Sequence, residues 1–366
     1  MASHNKSLIT IVDSHTSFRE GLVSALSPFY EVTHYGDSRS AIKMLTEDVP
    51  AIIIVGEDVS PFNSISFIIE IRNNPDLNAV SILHTINEKN RRLIEDSKNT
   101  GVSNVIIKPF KPNELTGRVS SLINKGVEKE WEALPDLQRN ALQTSVGVFN
   151  SISDALLTDD TVSFENVKGN CQSLVSSIEN NDFISILDGV RNHDDYTYAH
   201  SMRVATLLTL LGHAAGFKND DQLILSSGGL LHDVGKMYIP LDILNKPGRL
   251  TEEEFEIMKG HVGGTMEYLK KVDNIPPAVF IIAEQHHEKI DGTGYPNGLK
   301  GKDLNELARM AAVVDVFSAL TDRRVYKDPM STSKAIGIMV NEMDGHLDQH
   351  YIKMFKTILV DARLLV

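Results

Sequence analysis

The sequence predicts a multidomain chain: an N-terminal α/β doubly wound domain, a helical linker and a C-terminal all-α domain. Three observations carry that expectation. Short apolar runs alternate with amphipathic stretches up to about residue 122. From there the apolar spacing becomes helical and stays helical. Histidines and aspartates interrupt apolar helix faces only in the last part of the chain. The domains so defined are residues 1–122, 123–181 and 182–366.

In the first domain, residues 7–12, 51–55, 80–84 and 104–107 are short and β-branched, as buried parallel strands are. Residues 17–27, 38–46, 62–73 and 90–98 between them carry helical spacing. Strand alternating with helix gives a parallel sheet covered on both faces, with any ligand site beyond the carboxyl ends of the strands. Residues 127–153 and 163–180 are helical with many polar outer positions and predict a spacer. Beyond residue 182 helix continues, broken by one Gly/Pro-rich loop over residues 291–302.

Composition narrows the function classes. A single cysteine, Cys171, excludes a disulfide framework and points to a reducing, cytoplasmic setting. No apolar run approaches the roughly 18 residues of a membrane helix, so no membrane partner is expected. A net charge of −13 argues against nucleic acid as a partner. A small anionic ligand would instead need local cations or metal.

The chemistry concentrates after residue 194. His200 shares a helix face with Val204, Leu207 and Leu211. His232 and Asp233 follow an apolar Gly228-Gly-Leu-Leu run, and His261 sits within Lys259-Gly-His-Val. His286 and His287 end an apolar helix, while Asp315 lies on the face of Leu307 and Ala311. An ionised carboxylate on such a face is costly without a compensating cation. Neighbouring residues on a helix lie about 100° apart, so His-Asp and His-His doublets can converge on one centre. Imidazole and carboxylate donors suit iron, manganese or zinc, and the lack of nearby cysteine argues against a structural zinc site.

Leu230-Leu-His-Asp-Val-Gly-Lys236, followed by His286-His-Glu-Lys-Ile-Asp-Gly-Thr-Gly-Tyr-Pro-Asn-Gly-Leu299, resembles the HD-GYP family of cyclic di-GMP phosphodiesterases. The resemblance runs from about residue 194 to 336. It implies two metal ions, iron first, with manganese or zinc as alternatives. It gives one ion His200, His232, Asp233 and Asp315, and the other Asp233, His261, His286 and His287. It further implies catalytic roles for Asp233, as the bridge, and Lys236. Lys236, Tyr295, Arg324 and Lys327 are the implied substrate contacts. The expected activity is hydrolysis of cyclic di-GMP, in bacterial second-messenger signalling, by a water activated between two metals.

Several positions depart from the family pattern. Tyr238 stands where a small residue is usual, with a ring able to narrow the pocket. Val262 and Thr265 replace Pro and Gly, and Ser318 replaces an Asp. Tyr196 occupies a position that is acidic where a third metal is held, so two metals are expected. Gly292, Gly294 and Gly298 would let the loop turn and approach closely, braced by Glu288 or Asp291.

The first domain resembles a response-regulator receiver through Asp13, Thr85 and Lys108-Pro-Phe110. Gly56 stands where the phosphoacceptor Asp belongs, and Ser14 replaces one metal-holding acid. A docking or dimerising pseudo-receiver that takes no phosphate is expected. The competing reading for the whole chain is a non-hydrolysing cyclic dinucleotide receptor. The other form of that reading is a protein-interaction scaffold that binds a nucleotide-synthesising or other signalling protein instead of the nucleotide.

Overall fold

The structure, a computed structural model, describes residues 6–158, 160–246, 248–322 and 329–364. The chain divides into two compact units, Met1–Lys129 and Glu130–Val366.

The first unit has strands β1 (Leu8–Val12), β2 (Glu31–Tyr35), β3 (Ile52–Val55), β4 (Ser81–Asn87) and β5 (Asn104–Lys108). They alternate with helices α1 (Thr16–Leu26), α2 (Ser38–Leu45), α3 (Ser64–Asn73), α4 (Arg91–Lys98) and α5 (Pro112–Glu130). All strand pairs are parallel, in the order β2-β1-β3-β4-β5. That is the doubly wound order of receiver-type domains.

The pleat distributes the strand side chains between two cores. Ile9, Ile11, Ile52 and Ile54 pack with Leu22 and Leu26 of α1 and Leu115 and Val119 of α5. Val12, Ile53 and Val55 pack on the other face with Leu45, Phe67 and Ile71. Strand β2 is missing from the sequence-based expectation. It lies at the sheet edge with a half-exposed Glu-Val-Thr-His-Tyr sequence, so no apolar run marks it.

The second unit contains α6 (Asp136–Thr158), α7 (Phe164–Asn170), α8 (Gln172–Glu179) and α9 (Ile184–Val190). These are followed by α10 (Tyr196–Ala214), α11 (Asp220–Leu231), α12 (Leu241–Leu244) and α13 (Glu252–Lys271). The last four are α14 (Pro277–Gln285), α15 (Glu306–Thr321), α16 (Thr332–Asn341) and α17 (Gln349–Asp361). Helix α10 is the hub, packing on α11, α15, α17, α8 and α9. A Cβ at Gly229 would lie 2.7 Å from the Ala205 Cα, so α11 crosses α10 at a distance only glycine permits there.

The helices expected as a linker do not stand apart. From Glu130 onward they belong to the second unit, where α6, α8 and α9 contact α10, and α7 and α8 contact α11. Trp131 is buried, with its indole Nε1–H donating to Gly189 O at 2.9 Å. The helical stretch around residues 127–153 is also broken. Leu134 and Pro135 separate a short 3-10 turn, Trp131–Ala133, from α6. Periodicity alone does not distinguish a solvated spacer from a helix packed into a core.

Candidate metal centre

Six elements deliver the seven histidine and aspartate residues. His200 lies in the first turns of α10, started by the Asp195 side chain accepting from Tyr198 N. His232 caps α11, and Asp233 opens the 3-10 turn Val234–Tyr238. His261 is midway along α13, His286 caps α14 with His287 next, and Asp315 is on α15.

Their ligand atoms form two groups, each within 4.8 Å: His200, His232, Asp233 and Asp315, and Asp233, His261, His286 and His287. Asp233 is common to both. Its Oδ2 lies 3.1 Å from His232 Nε2 and 3.5 Å from His200 Nε2, whereas Oδ1 lies 3.2 Å from His261 Nε2 and 3.7 Å from His286 Nε2. Asp315 Oδ1 is 2.9 Å from His200 Nε2, and Oδ2 is 3.7 Å from His287 Nδ1.

One device orients three of the rings. His232, His261 and His286 each turn Nδ1 onto the carbonyl three residues earlier, Gly229, Met258 and Ala283, at 2.7, 2.7 and 2.9 Å. An Nδ1–H donated to a carbonyl leaves Nε2 with its lone pair toward the centre. Nε2 of all three, together with Asp233 Oδ1, is buried with no hydrogen-bond partner among the described residues. Each such atom costs about 1–3 kcal/mol when left unsatisfied. Four of them converging on one place fit a site for cations, and the imidazole–carboxylate donor set fits iron, manganese or zinc.

The charges are arranged to match. Burial would raise the Asp233 carboxyl, but His232 and Lys236 beside it hold it well below the usual carboxylate range. Burial drives His286 well below its ordinary value and His287 down to about 3, so both rings are neutral donors. Lys236 Nζ pairs directly with Asp233 Oδ2. Burial, with Asp315 and Asp233 nearby, pushes the Tyr295 hydroxyl far above its ordinary value, so it remains a proton donor. Its ring lies 4.8 Å from that of His287, which is the more open side of the cluster.

One residue that the sequence did not mark, Asp322, and one that departs from the family pattern, Thr265, help shape the site. Asp322, just past α15, puts Oδ2 2.7 Å from His200 Nδ1 and Oδ1 2.6 Å from Arg203 Nε. Its only sequence signal is an acid at a helix C-terminus, against the dipole. Ser318, by contrast, is buried, and its hydroxyl has no partner among the described residues. Thr265 ties the His232 turn to α13: its hydroxyl accepts from Gly235 N at 2.9 Å and donates to His232 O at 3.2 Å. A Cβ on Gly235 would strike His261 O at 2.0 Å, so this crossing also requires glycine.

Tyr238, whose bulk suggested a narrowed centre, turns largely to solvent. It is 51% exposed, and its ring rests against Gly264 with its hydroxyl near Tyr268, two turns along α13 from His261. Tyr196 stacks on His200, with centroids 5.6 Å apart. Glu288 is the loop brace, buried and accepting from Asn297 N at 2.6 Å and Leu299 N at 3.0 Å. Gly292 and Gly298 take positive φ as expected, and Gly294 packs on the Glu288 backbone. Arg324 and Lys327 lie outside the described residues.

In the first unit, the Asp13 carboxylate occupies the space beside Gly56: a Cβ there would lie 2.0 Å from Asp13 Oδ2. Lys108 Nζ is 3.6 Å from the same oxygen. Glu57, the nearest substitute acid, is taken by Asn87 N at 3.0 Å and Asn90 Nδ2 at 2.6 Å.

Fold and cluster together define a helical His/Asp domain fused to a receiver-like domain. Residues 187–351 match the HD domain family, and the C-terminal unit carries an HD domain. A cyclic di-GMP phosphodiesterase of Pseudomonas aeruginosa is 40% identical over 45% of this chain, which spans only 40% of that relative. The cyclic di-GMP phosphodiesterase response regulator RpfG of Xanthomonas campestris is 27% identical over 90% of this chain and 82% of its own length. The solved HDG"Y"P protein of Bdellovibrio bacteriovorus shares the fold, with a TM-score of 0.50 and 22% identity over 69% of this chain and 81% of its own. The chain is thus similar to cyclic di-GMP phosphodiesterases, one of which aligns over 90% of it. No helix among the described residues is long and apolar enough to cross a membrane.

Proposed function

We propose that the chain is a metal-dependent phosphodiesterase that hydrolyses cyclic di-GMP in bacterial second-messenger signalling. The observation that carries this reading is the pair of donor groups sharing Asp233, with buried Nε2 atoms that have no hydrogen-bond partner among the described residues. Two relatives named for cyclic di-GMP support that substrate, while others at 34–38% identity are named 3'3'-cGAMP-specific phosphodiesterases, so the supported class is a cyclic dinucleotide carrying guanine.

Two divalent ions, iron first and manganese or zinc next, would supply Lewis acidity and a water of lowered pKa beside the phosphodiester. His200, His232, Asp233 and Asp315 would hold one, and Asp233, His261, His286 and His287 the other. The carbonyls behind His232, His261 and His286 fix which nitrogen each ring presents. Lys236 supplies a positive charge at the Asp233 edge, where a phosphate would sit. The Tyr295 hydroxyl, kept protonated, donates to a phosphate oxygen. Arg324 and Lys327 complete the substrate contacts in this reading, and the cytoplasm is the proposed setting.

The receptor reading rests on Tyr238 together with the disabled receiver-like domain; the outward placement of the Tyr238 ring, 51% exposed and against Gly264, speaks against the first of these grounds. The test is incubation of the metal-loaded full chain with cyclic di-GMP and separation of the products. Linear dinucleotide or guanylate is expected from the wild type, with a loss of at least about a hundredfold in rate on Asp233→Ala. Tight binding without product, whichever of the three metals is loaded, would favour the receptor.

A further inference from the structure

Helix α13 brings a second group of side chains to the open side of the cluster. Phe255, six residues before His261, is 45% exposed. A single exposed ring is ordinary on a protein surface, but this one is continuous with the candidate centre. It meets Tyr295 edge to face, with centroids 6.3 Å apart at 84°, and Tyr295 in turn lies against His287. Lys259, one turn further along, places Nζ 4.9 Å from the Phe255 centroid and 5.7 Å from the Tyr295 centroid. The ammonium also pairs with Glu256 Oε1 at 2.6 Å.

We propose that Phe255, Tyr295 and Lys259 form the seat for one guanine base of the cyclic dinucleotide, and that Lys259 selects guanine over adenine. The proposal rests on the phosphodiesterase reading, which places a phosphate at the Asp233 cluster. Two perpendicular rings offer a base one surface to stack on and another to abut. The corner starts at His287, so a nucleoside joined to a phosphate at the cluster extends naturally into it. Glu256 already matches the charge of Lys259, which makes the lysine a weak extra anchor for phosphate. It remains a directional donor. Guanine offers O6 and N7, both acceptors, to such a donor, whereas adenine sets an amino donor beside N7.

The experiment measures equilibrium binding of cyclic di-GMP and cyclic di-AMP, each as its hydrolysis-resistant phosphorothioate analogue, to the metal-loaded full chain and to three variants. Metal content and melting temperature serve as controls. The wild type is expected to prefer cyclic di-GMP. Phe255→Ala should weaken both ligands about tenfold, the scale of losing one stacked base, and Phe255→Trp should retain binding. Lys259→Met should cut the preference for cyclic di-GMP about tenfold while leaving cyclic di-AMP nearly unchanged. Wild-type binding of cyclic di-GMP with Phe255→Ala equally tight would overturn the seat. An unchanged preference in Lys259→Met would overturn the selection. Failure of the wild type to bind either nucleotide would instead bring down the phosphodiesterase reading, and this inference with it.

Discussion

At the scale of single residues, the carboxylate behind His200 is the feature with the most leverage. Metal-ligating histidines depend on what their other nitrogen touches, and loss of that partner typically costs 10–100-fold in metal affinity. With His200 as a ligand in the proposed centre, Asp322 would be such a partner, braced by Arg203, whose Nη2 also donates to Thr321 Oγ1 at 2.9 Å. Asp322→Leu is therefore expected to weaken binding of the metal beside His200 by about 10–100-fold. Asp322→Asn, which keeps an acceptor oxygen, should lose less. Chelator competition measures both, and unchanged affinity in the leucine variant would remove Asp322 from the site. The seven residues of the cluster were legible in the sequence because His and Asp are out of place on apolar helix faces. Asp322 was not, because an acid after a helix end reads as solvated until the chain is seen to bring it back against α10. Position 318, which drew attention instead, holds a buried serine whose hydroxyl has no hydrogen-bond partner among the described residues.

At the scale of elements, what decided legibility was whether burial leaves a mark in the residue pattern. Strand β3 is Ile-Ile-Ile-Val, buried throughout, and was read directly. Edge strand β2 left no such mark. Helices α6 to α9 were seen as helices, but their docking on α10 and α11 was not. The carboxyl end of the sheet shows the same limit. Gly56 announced a missing phosphoacceptor, but not that the Asp13 carboxylate fills the space and faces Lys108. Two expectations follow for this end of the sheet. Incubation with a small phosphodonor should give no stable phosphate adduct by intact mass, and an adduct on Glu57 or Asp58 would reverse that conclusion. Gly56→Asp should not restore phosphorylation simply, because its Cβ meets the Asp13 carboxylate. Overpacking of this kind costs about 1–3 kcal/mol, readable as a lower urea midpoint for the first unit.

At the scale of the whole molecule, the two units have separate cores and separate sources of pH and metal sensitivity. They should therefore respond to different perturbations. In the second unit, ions bound only by the folded state add stability, about 2.7 kcal/mol for each at a hundredfold excess over its Kd. Stripping them with a chelator should lower the unfolding transition of that unit and leave the other in place. In the first unit, His84 is fully buried in β4, with its Nδ1 2.8 Å from Ser97 Oγ, and burial lowers its pKa from 6.5 to about 4. Above pH 6.5 the ring is neutral whether folded or unfolded and stability does not depend on it. Between pH 6.5 and 4 the unfolded chain takes up a proton that the folded one refuses, so stability falls, by about 3 kcal/mol over that window. Calorimetry of the full chain is expected to show a transition that moves down on acidification and is blind to chelator, and another that answers to chelator. His84→Gln should flatten the acid dependence of the first. A chelator that shifts both transitions equally would mean that the metal centre supports the entire chain, not the helical unit alone.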